Sequence, residues 1–173
     1  MGGLQPRRRR TVQFLPTSAL TRSHAVMQEH FEPVDILLVE DSEADAELTL
    51  RVLRKSRLAN RVVWVKDGQE ALDFLYGEGE YVDRPPARPR LVLLDLKLPR
   101  LNGIDVLRRL KSDDRQKSIP VVMLTSSSEE RDIVESYALG VNSYLIKPVE
   151  FDKLGEQVVN AGLYWLLANK VPN

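Results

Sequence analysis

The chain has no cysteine, which excludes disulfides, a thiol nucleophile and a thiolate metal site, and agrees with a reducing cytoplasm. It has no net charge either. Its 25 Lys and Arg balance 25 Asp and Glu, so no field across the whole molecule argues for nucleic acid or a membrane surface. No apolar run reaches the length that crosses a bilayer. Histidine is nearly absent, and both copies, His24 and His30, fall in the N-terminal stretch, where no catalytic role is expected. What is present is 173 residues, 43% apolar and 29% charged. That is an ordinary composition for one globular domain with a sizeable core.

The charge is unevenly placed. Residues 1–32 hold five Arg (Arg7, Arg8, Arg9, Arg10, Arg22) against Glu29 and Glu32, so this stretch is basic and the rest of the chain acidic. Arg7 to Arg10 followed by Thr11 to Leu15 is superficially like a twin-arginine export signal, but Pro16 to His24 break the apolar core such a signal requires. Residues 1–32 are therefore expected to be a disordered basic tail, or translation from a start codon assigned too far upstream, with Met27 as the true start. Residues 33–170 are expected to form the folded domain. Only Lys170 to Asn173 follow Asn169, so no output domain is expected after the folded one.

From Pro33 onward, short apolar runs alternate with helical periodicity. Val34 to Val39 reads as a strand ending in Glu40-Asp41. Ser42 then caps a helix with acids in its first turn and Ala44, Leu48, Val52 and Leu53 at helical spacing. Val62 to Val65 is a second strand, and Asp67-Gly68 turns into a helix using Ala71, Leu72, Leu75 and Tyr76. Residues 77–90, rich in Gly, Pro and charge, predict an irregular loop. Leu91 to Leu94 is a third strand that delivers Asp95, and Gly103 opens a helix carrying Ile104, Leu107 and Leu110. Pro120 to Leu124 leads to Thr125, a short helix runs from about Glu129 to Leu139, and Gly140 stops it. Asn142 to Ile146 is the fifth strand, and Lys147-Pro148 leads into a last helix over about 151–169. Five strands, each returned by a helix, imply an α/β fold: a five-stranded parallel sheet covered by helices on both faces.

Polar residues concentrate just after strands one, three, four and five. In an open α/β sheet those carboxyl ends share one crevice where ligands bind, so the spacing predicts a common site for Glu40, Asp41, Asp95, Thr125 and Lys147. Three carboxylates held together repel unless a cation joins them, and oxygen donors without His or Cys favour Mg2+. A hydroxyl and an ammonium beside such a cation suit a tetrahedral oxyanion of the phosphoryl type. Each residue taken singly has a plainer reading. Asp95 would be a strand-end acid capping a turn, Thr125 and the serines after it helix caps, Lys147 a solvated lysine, Tyr144 packing, and Gly68 and Gly103 turn residues. Ser127 or Ser128 can serve as the cap, which leaves Thr125 free.

Val39-Glu40-Asp41, Leu93-Leu94-Asp95-Leu96-Lys97-Leu98-Pro99, Gly103, Leu124-Thr125-Ser126 and Tyr144-Leu145-Ile146-Lys147-Pro148 resemble the receiver domain of two-component response regulators, of flavodoxin/CheY-like (βα)5 fold. The likeness covers about residues 33–170. The loop at 77–90, with Val141 to Tyr144 and Lys147 to Phe151, resembles the single-domain regulators associated with phytochrome-type sensor kinases. The resemblance implies Asp95 as phosphoacceptor from a phosphohistidine. It implies Mg2+ bound by the side chains of Asp41 and Asp95, the backbone carbonyl of Lys97, and Glu40 directly or through water. Thr125 would hydrogen-bond the phosphoryl group, Lys147 would pair with it, Pro148 would follow a cis peptide bond, and Tyr144 would be the switch that turns inward. Where many receivers have two Asp, this chain has Glu40-Asp41. Lys97 and Ser127 are expected to flank the entrance to the phosphoryl group, with Lys97 affecting the access of water.

In the last helix Phe151, Leu154, Val158, Ala161 and Trp165 are expected to face the sheet, and Leu163, Tyr164, Leu166 and Leu167 to add an apolar patch. That patch predicts a homodimer through the fourth helix, fifth strand and fifth helix, near Tyr144, with deeper burial against a neighbouring helix as the plain alternative. The leading function is a phosphorylation-controlled binding module, a switch that catalyses only its own phosphoryl transfer and dephosphorylation. The second is a phosphate carrier from Asp95 to a histidine phosphotransfer protein. The third is a phosphatase of the haloacid dehalogenase type, but that class needs a second Asp where this chain has Lys97.

Overall fold

The computed structural model describes residues 34–57, 61–147, 153, 156–160 and 164. The expectations for residues 1–32, for the cis bond before Pro148 and for Phe151, Leu154, Ala161, Leu163, Trp165, Leu166 and Leu167 lie outside these residues. The chain runs β1 (Ile36–Val39), α1 (Glu43–Ser56), β2 (Val62–Val65), α2 (Gly68–Tyr76), a short 3-10 turn (Gly79–Tyr81), β3 (Leu91–Leu94), α3 (Gly103–Ser112), β4 (Val121–Thr125), α4 (Glu130–Ala138) and β5 (Ser143–Ile146).

All strand pairs are parallel, in the order β2-β1-β3-β4-β5. Because successive side chains of a strand point to opposite faces, an uninterrupted apolar strand requires cover on both. Ile36 and Leu38 join α1 residues Ala46, Leu50 and Leu53, together with Val158, on one face. Leu37 and Val39 join Ala71, Phe74 and Leu75 of α2 and Leu107 and Leu110 of α3 on the other. The sheet is thus the middle layer of three, and the chain leaves β1 toward both neighbours. This reversal of strand order places a crevice at the carboxyl ends of β1 and β3.

One expectation is corrected in part. The buried residues of α1 are Ala46, Thr49, Leu50, Val52 and Leu53: Val52 and Leu53 are buried as expected, while Ala44 is exposed and Leu48 only half-buried. Ala44-Leu48 and Ala46-Leu50 both satisfy a helical period, and only packing against β1 and β3 chooses between them. The loop at 77–90 is irregular, as expected, apart from the turn at Gly79–Tyr81, yet its side chains are firmly packed. The Tyr81 ring meets Phe74 edge-on at 5.2 Å, and its hydroxyl donates to Glu70 Oε1 at 3.1 Å. The Arg84 guanidinium lies 4.0 Å over the Phe74 ring. Gln116 Nε2 donates to Leu75 O at 3.0 Å and Ala87 O at 3.4 Å, which ties the loop's far end to the α3–β4 connection. Among the described residues no helix is long and apolar enough to cross a membrane.

Candidate functional site

Four strands deliver the predicted residues to one rim. The Glu40 carbonyl, just past β1, accepts the Trp64 indole N–H at 2.8 Å, while its side chain accepts the Ser42 backbone N–H at 3.1 Å. Ser42 in turn accepts the Asp45 N–H at 3.3 Å as the N-cap of α1, so Glu40, Asp41 and the first turn of α1 form one braced unit. Asp95 extends the β1–β3 ladder by one step, its N–H bonding Val39 O at 3.0 Å. The chain then folds back so closely that a Cβ on Gly103 would lie 2.2 Å from the Asp95 carbonyl oxygen, so only glycine fits there. Lys147 is fixed behind β5 by its N–H to Thr125 O at 2.7 Å.

The side chains converge. Glu40 and Asp95 are buried and Asp41 is exposed, and one oxygen of each lies within 4.8 Å of the others. The Lys147 ammonium uses three hydrogen bonds, to Glu40 Oε2 at 2.5 Å, Asp95 Oδ2 at 2.9 Å and Asp45 Oδ2 at 2.9 Å. Burial pushes the Glu40 carboxyl up to about 7 against the opposing pull of Lys147. For Lys147 burial favours the neutral amine, but its bonds to Glu40, Asp95 and Asp45 outweigh that and hold it above the usual ammonium range. The lysine is therefore charged at neutral pH. Buried carboxylates with one exposed partner fit a hard divalent cation that keeps several waters, and the rim contains no softer donor among the described residues.

Thr125 is fully buried, and its hydroxyl accepts the Ser127 N–H at 3.2 Å. Ser127 connects outward as well. Its hydroxyl donates to Asp132 Oδ2 at 2.6 Å, and its carbonyl accepts the Tyr144 hydroxyl at 3.0 Å. The Lys97 side chain is exposed, and its N–H reaches Asp95 Oδ1 at 3.3 Å. The cap of α4 corrects an expectation: Glu129 occupies the N-cap position without a side-chain bond, and Ser127 Oγ accepts the Glu129 N–H at 3.4 Å from two residues upstream. Sequence reasoning missed Asp45 and Asp132. Both are first-turn helix acids, and that position explains them well enough to hide a second contact.

Residues 36–159 match the response regulator receiver domain family. This chain belongs to that family. The receiver is 42% identical over 144 residues to the probable methanogenesis regulatory protein FilR2 of Methanothrix harundinacea, covering 82% of this chain and 89% of that one. It is 42% identical over 140 residues to the response regulator Rcp1 of Synechocystis, covering 81% and 94%. The Mn2+-bound crystal structure of Rcp1 superposes with a TM-score of 0.74 at 41% identity, over 82% of this chain and 100% of that chain. The phosphorylated cyanobacterial phytochrome response regulator RcpA gives the same TM-score of 0.74 at 41% identity and the same coverage, 82% and 100%. The receiver is thus a signalling switch of the CheY-like fold, with an acidic cluster able to hold a divalent ion.

Proposed function

We propose that this receiver accepts a phosphoryl group from a sensor histidine kinase onto Asp95 and reports it through the face formed by α4, β5 and the last helix. The observation that carries this reading is the position of Asp95. It is a buried strand-end carboxylate bonded to Lys147 and within 4.8 Å of the Glu40 and Asp41 oxygens. An Asp95 oxygen attacks phosphorus, the bond to the donor histidine nitrogen breaks, and that nitrogen keeps the electron pair and later takes a proton. Lys147 neutralises charge on the transferring group, and the Thr125 hydroxyl donates to it once it leaves Ser127 N–H. Tyr144 turns inward as Thr125 moves. The residues that would hold Mg2+ are Asp41, Asp95, the Lys97 carbonyl and Glu40, directly or through water. The cation would offset the negative charge that builds up as phosphoryl and carboxylate oxygens approach.

Incubating the protein with phosphoramidate, a small P–N donor, and Mg2+ should add the mass of one phosphoryl group. Asp95→Asn should add none, and equal labelling of that variant would defeat the assignment. Phytochrome-type kinases are the first donors to try, because RcpA is a phytochrome response regulator. The homodimer reading is supported by Val134 and Tyr137 of α4, Ile146 of β5 and Tyr164, large apolar side chains that are all exposed. A monomeric mass in light scattering with and without phosphorylation would end it. Transfer onward to a histidine phosphotransfer protein separates the carrier from the terminal switch. A cytoplasmic location and a receiver spanning 33–170 complete the proposal.

A further inference from the structure

Lys147 has three N–H donors, and three carboxylates use all of them. Two of those carboxylates, Glu40 and Asp95, also belong to the acidic cluster. The ammonium and a divalent cation therefore compete for the same two buried carboxylates. The third, Asp45, stands apart from the cluster. It projects from the first turn of α1, its side chain is 45% exposed, and Lys147 is only 12% exposed. A lysine so enclosed loses Glu40 and Asp95 as partners when a cation takes them, and an unpaired buried charge is costly.

We infer that Asp45 is a positioning residue: it receives the Lys147 ammonium displaced by the divalent cation and holds it beside Asp95 until a phosphoryl oxygen arrives. The inference rests on the metal site proposed above. It assigns Asp45 a contact that strengthens when the cation binds, and only a contact that differs between the two states shifts the affinity. Asp45 serves this role because α1, braced through Ser42, keeps it fixed while the cluster oxygens turn toward the metal. Its half-exposed position also lets water cover it whenever the ammonium moves inward.

The test is Mn2+ affinity, with free Mn2+ counted by electron paramagnetic resonance on the full chain, which needs no phosphorylation. Asp45→Ala should weaken binding about threefold to fivefold, the range of a partly exposed charge pair, and Asp45→Glu should restore it. Lys147→Met should tighten binding by removing the competitor, and in that background Asp45→Ala should have no effect. Lys147→Gln provides a second background should the methionine variant fold poorly. An equal loss from Asp45→Ala with and without the lysine would mean that Asp45 is merely another negative charge near the cation, and would overturn its positioning role. An unchanged or tighter affinity in Asp45→Ala would overturn it too. Unchanged binding in Asp41→Asn would instead overturn the metal site, and the role of Asp45 would fall with it.

Discussion

Lys147 and Lys111 are both largely withdrawn from water, one at the carboxyl ends of the strands and the other at their amino ends, and their partners are of opposite kinds. Lys147 meets three carboxylates. Lys111, in the last turn of α3, meets three neutral oxygens: Ile119 O at 2.8 Å, Lys117 O at 3.1 Å and Asn142 Oδ1 at 3.3 Å. Burial lowers Lys111 to about 8, whereas the acids keep Lys147 raised. The first lysine is the one proposed above to exchange partners during phosphoryl transfer. The second stitches the end of α3 to the starts of β4 and β5, and Asn142 Oδ1 adds the Val121 N–H at 2.8 Å to the same knot. One sheet thus carries an acidic rim and a neutral rim, distinguished by the charge around each lysine.

The sharpest way to break this contrast is to delete each ammonium. Without divalent cation, Lys147→Met should cost about 2–3 kcal/mol in urea unfolding, because it strands buried carboxylates. Adding Mg2+ should recover most of that loss. Lys111→Met should show no such recovery, and Mg2+ rescue of both variants would erase the distinction. The glycines near each rim give the next test. Gly103→Ala forces a Cβ against the Asp95 carbonyl and should cost about 2–3 kcal/mol while slowing phosphoryl uptake.

The pH dependence sharpens the comparison further. Lys111 is lowered in the fold, so the unfolded chain binds more protons between about 8 and the ordinary lysine value of 10.5. The stability penalty is full below 8 and lifts as pH rises toward 10.5. The stability difference between wild type and Lys111→Met should move toward wild type by about 1 kcal/mol across that window, after discounting for partial exposure. A flat difference would show that the three oxygens hold the ammonium as well as water does. The smallest effect is expected from Gly140→Ala. Its φ is +89°, yet the nearest atom to a new Cβ is Lys111 Cγ at 3.9 Å, so only backbone strain of about 1 kcal/mol remains and phosphoryl uptake is unchanged.

Most of the architecture could be read from periodicity, because each strand is an apolar run ended by polar punctuation. The five strands fall where Val39, Val65, Leu94, Thr125 and Ile146 end their runs. The same punctuation located Glu40, Asp41, Asp95, Thr125 and Lys147, because in a parallel sheet the residues just past the strands must share an edge. The rotation of α1 was legible only in its second half, where Val52 and Leu53 are buried as expected; in the first half Ala44-Leu48 and Ala46-Leu50 both fit a helical period, and packing chose the second pair. The packing of 77–90 was not legible, since Gly and Pro describe the backbone but not the grip of Tyr81 and Arg84 on Phe74.

The sequence by itself therefore determined the order of the elements and the set of residues at the rim, because those follow from local period and strand polarity. Only the tertiary structure decided which of them touch. Contacts such as Asp45 with Lys147, or Ser127 with Asp132 and Tyr144, depend on the distance between elements far apart in the chain. The same holds for the two lysines. Local pattern puts Lys147 just past a strand and Lys111 at the end of a helix, but their opposite character comes from the oxygens that packing brings to each.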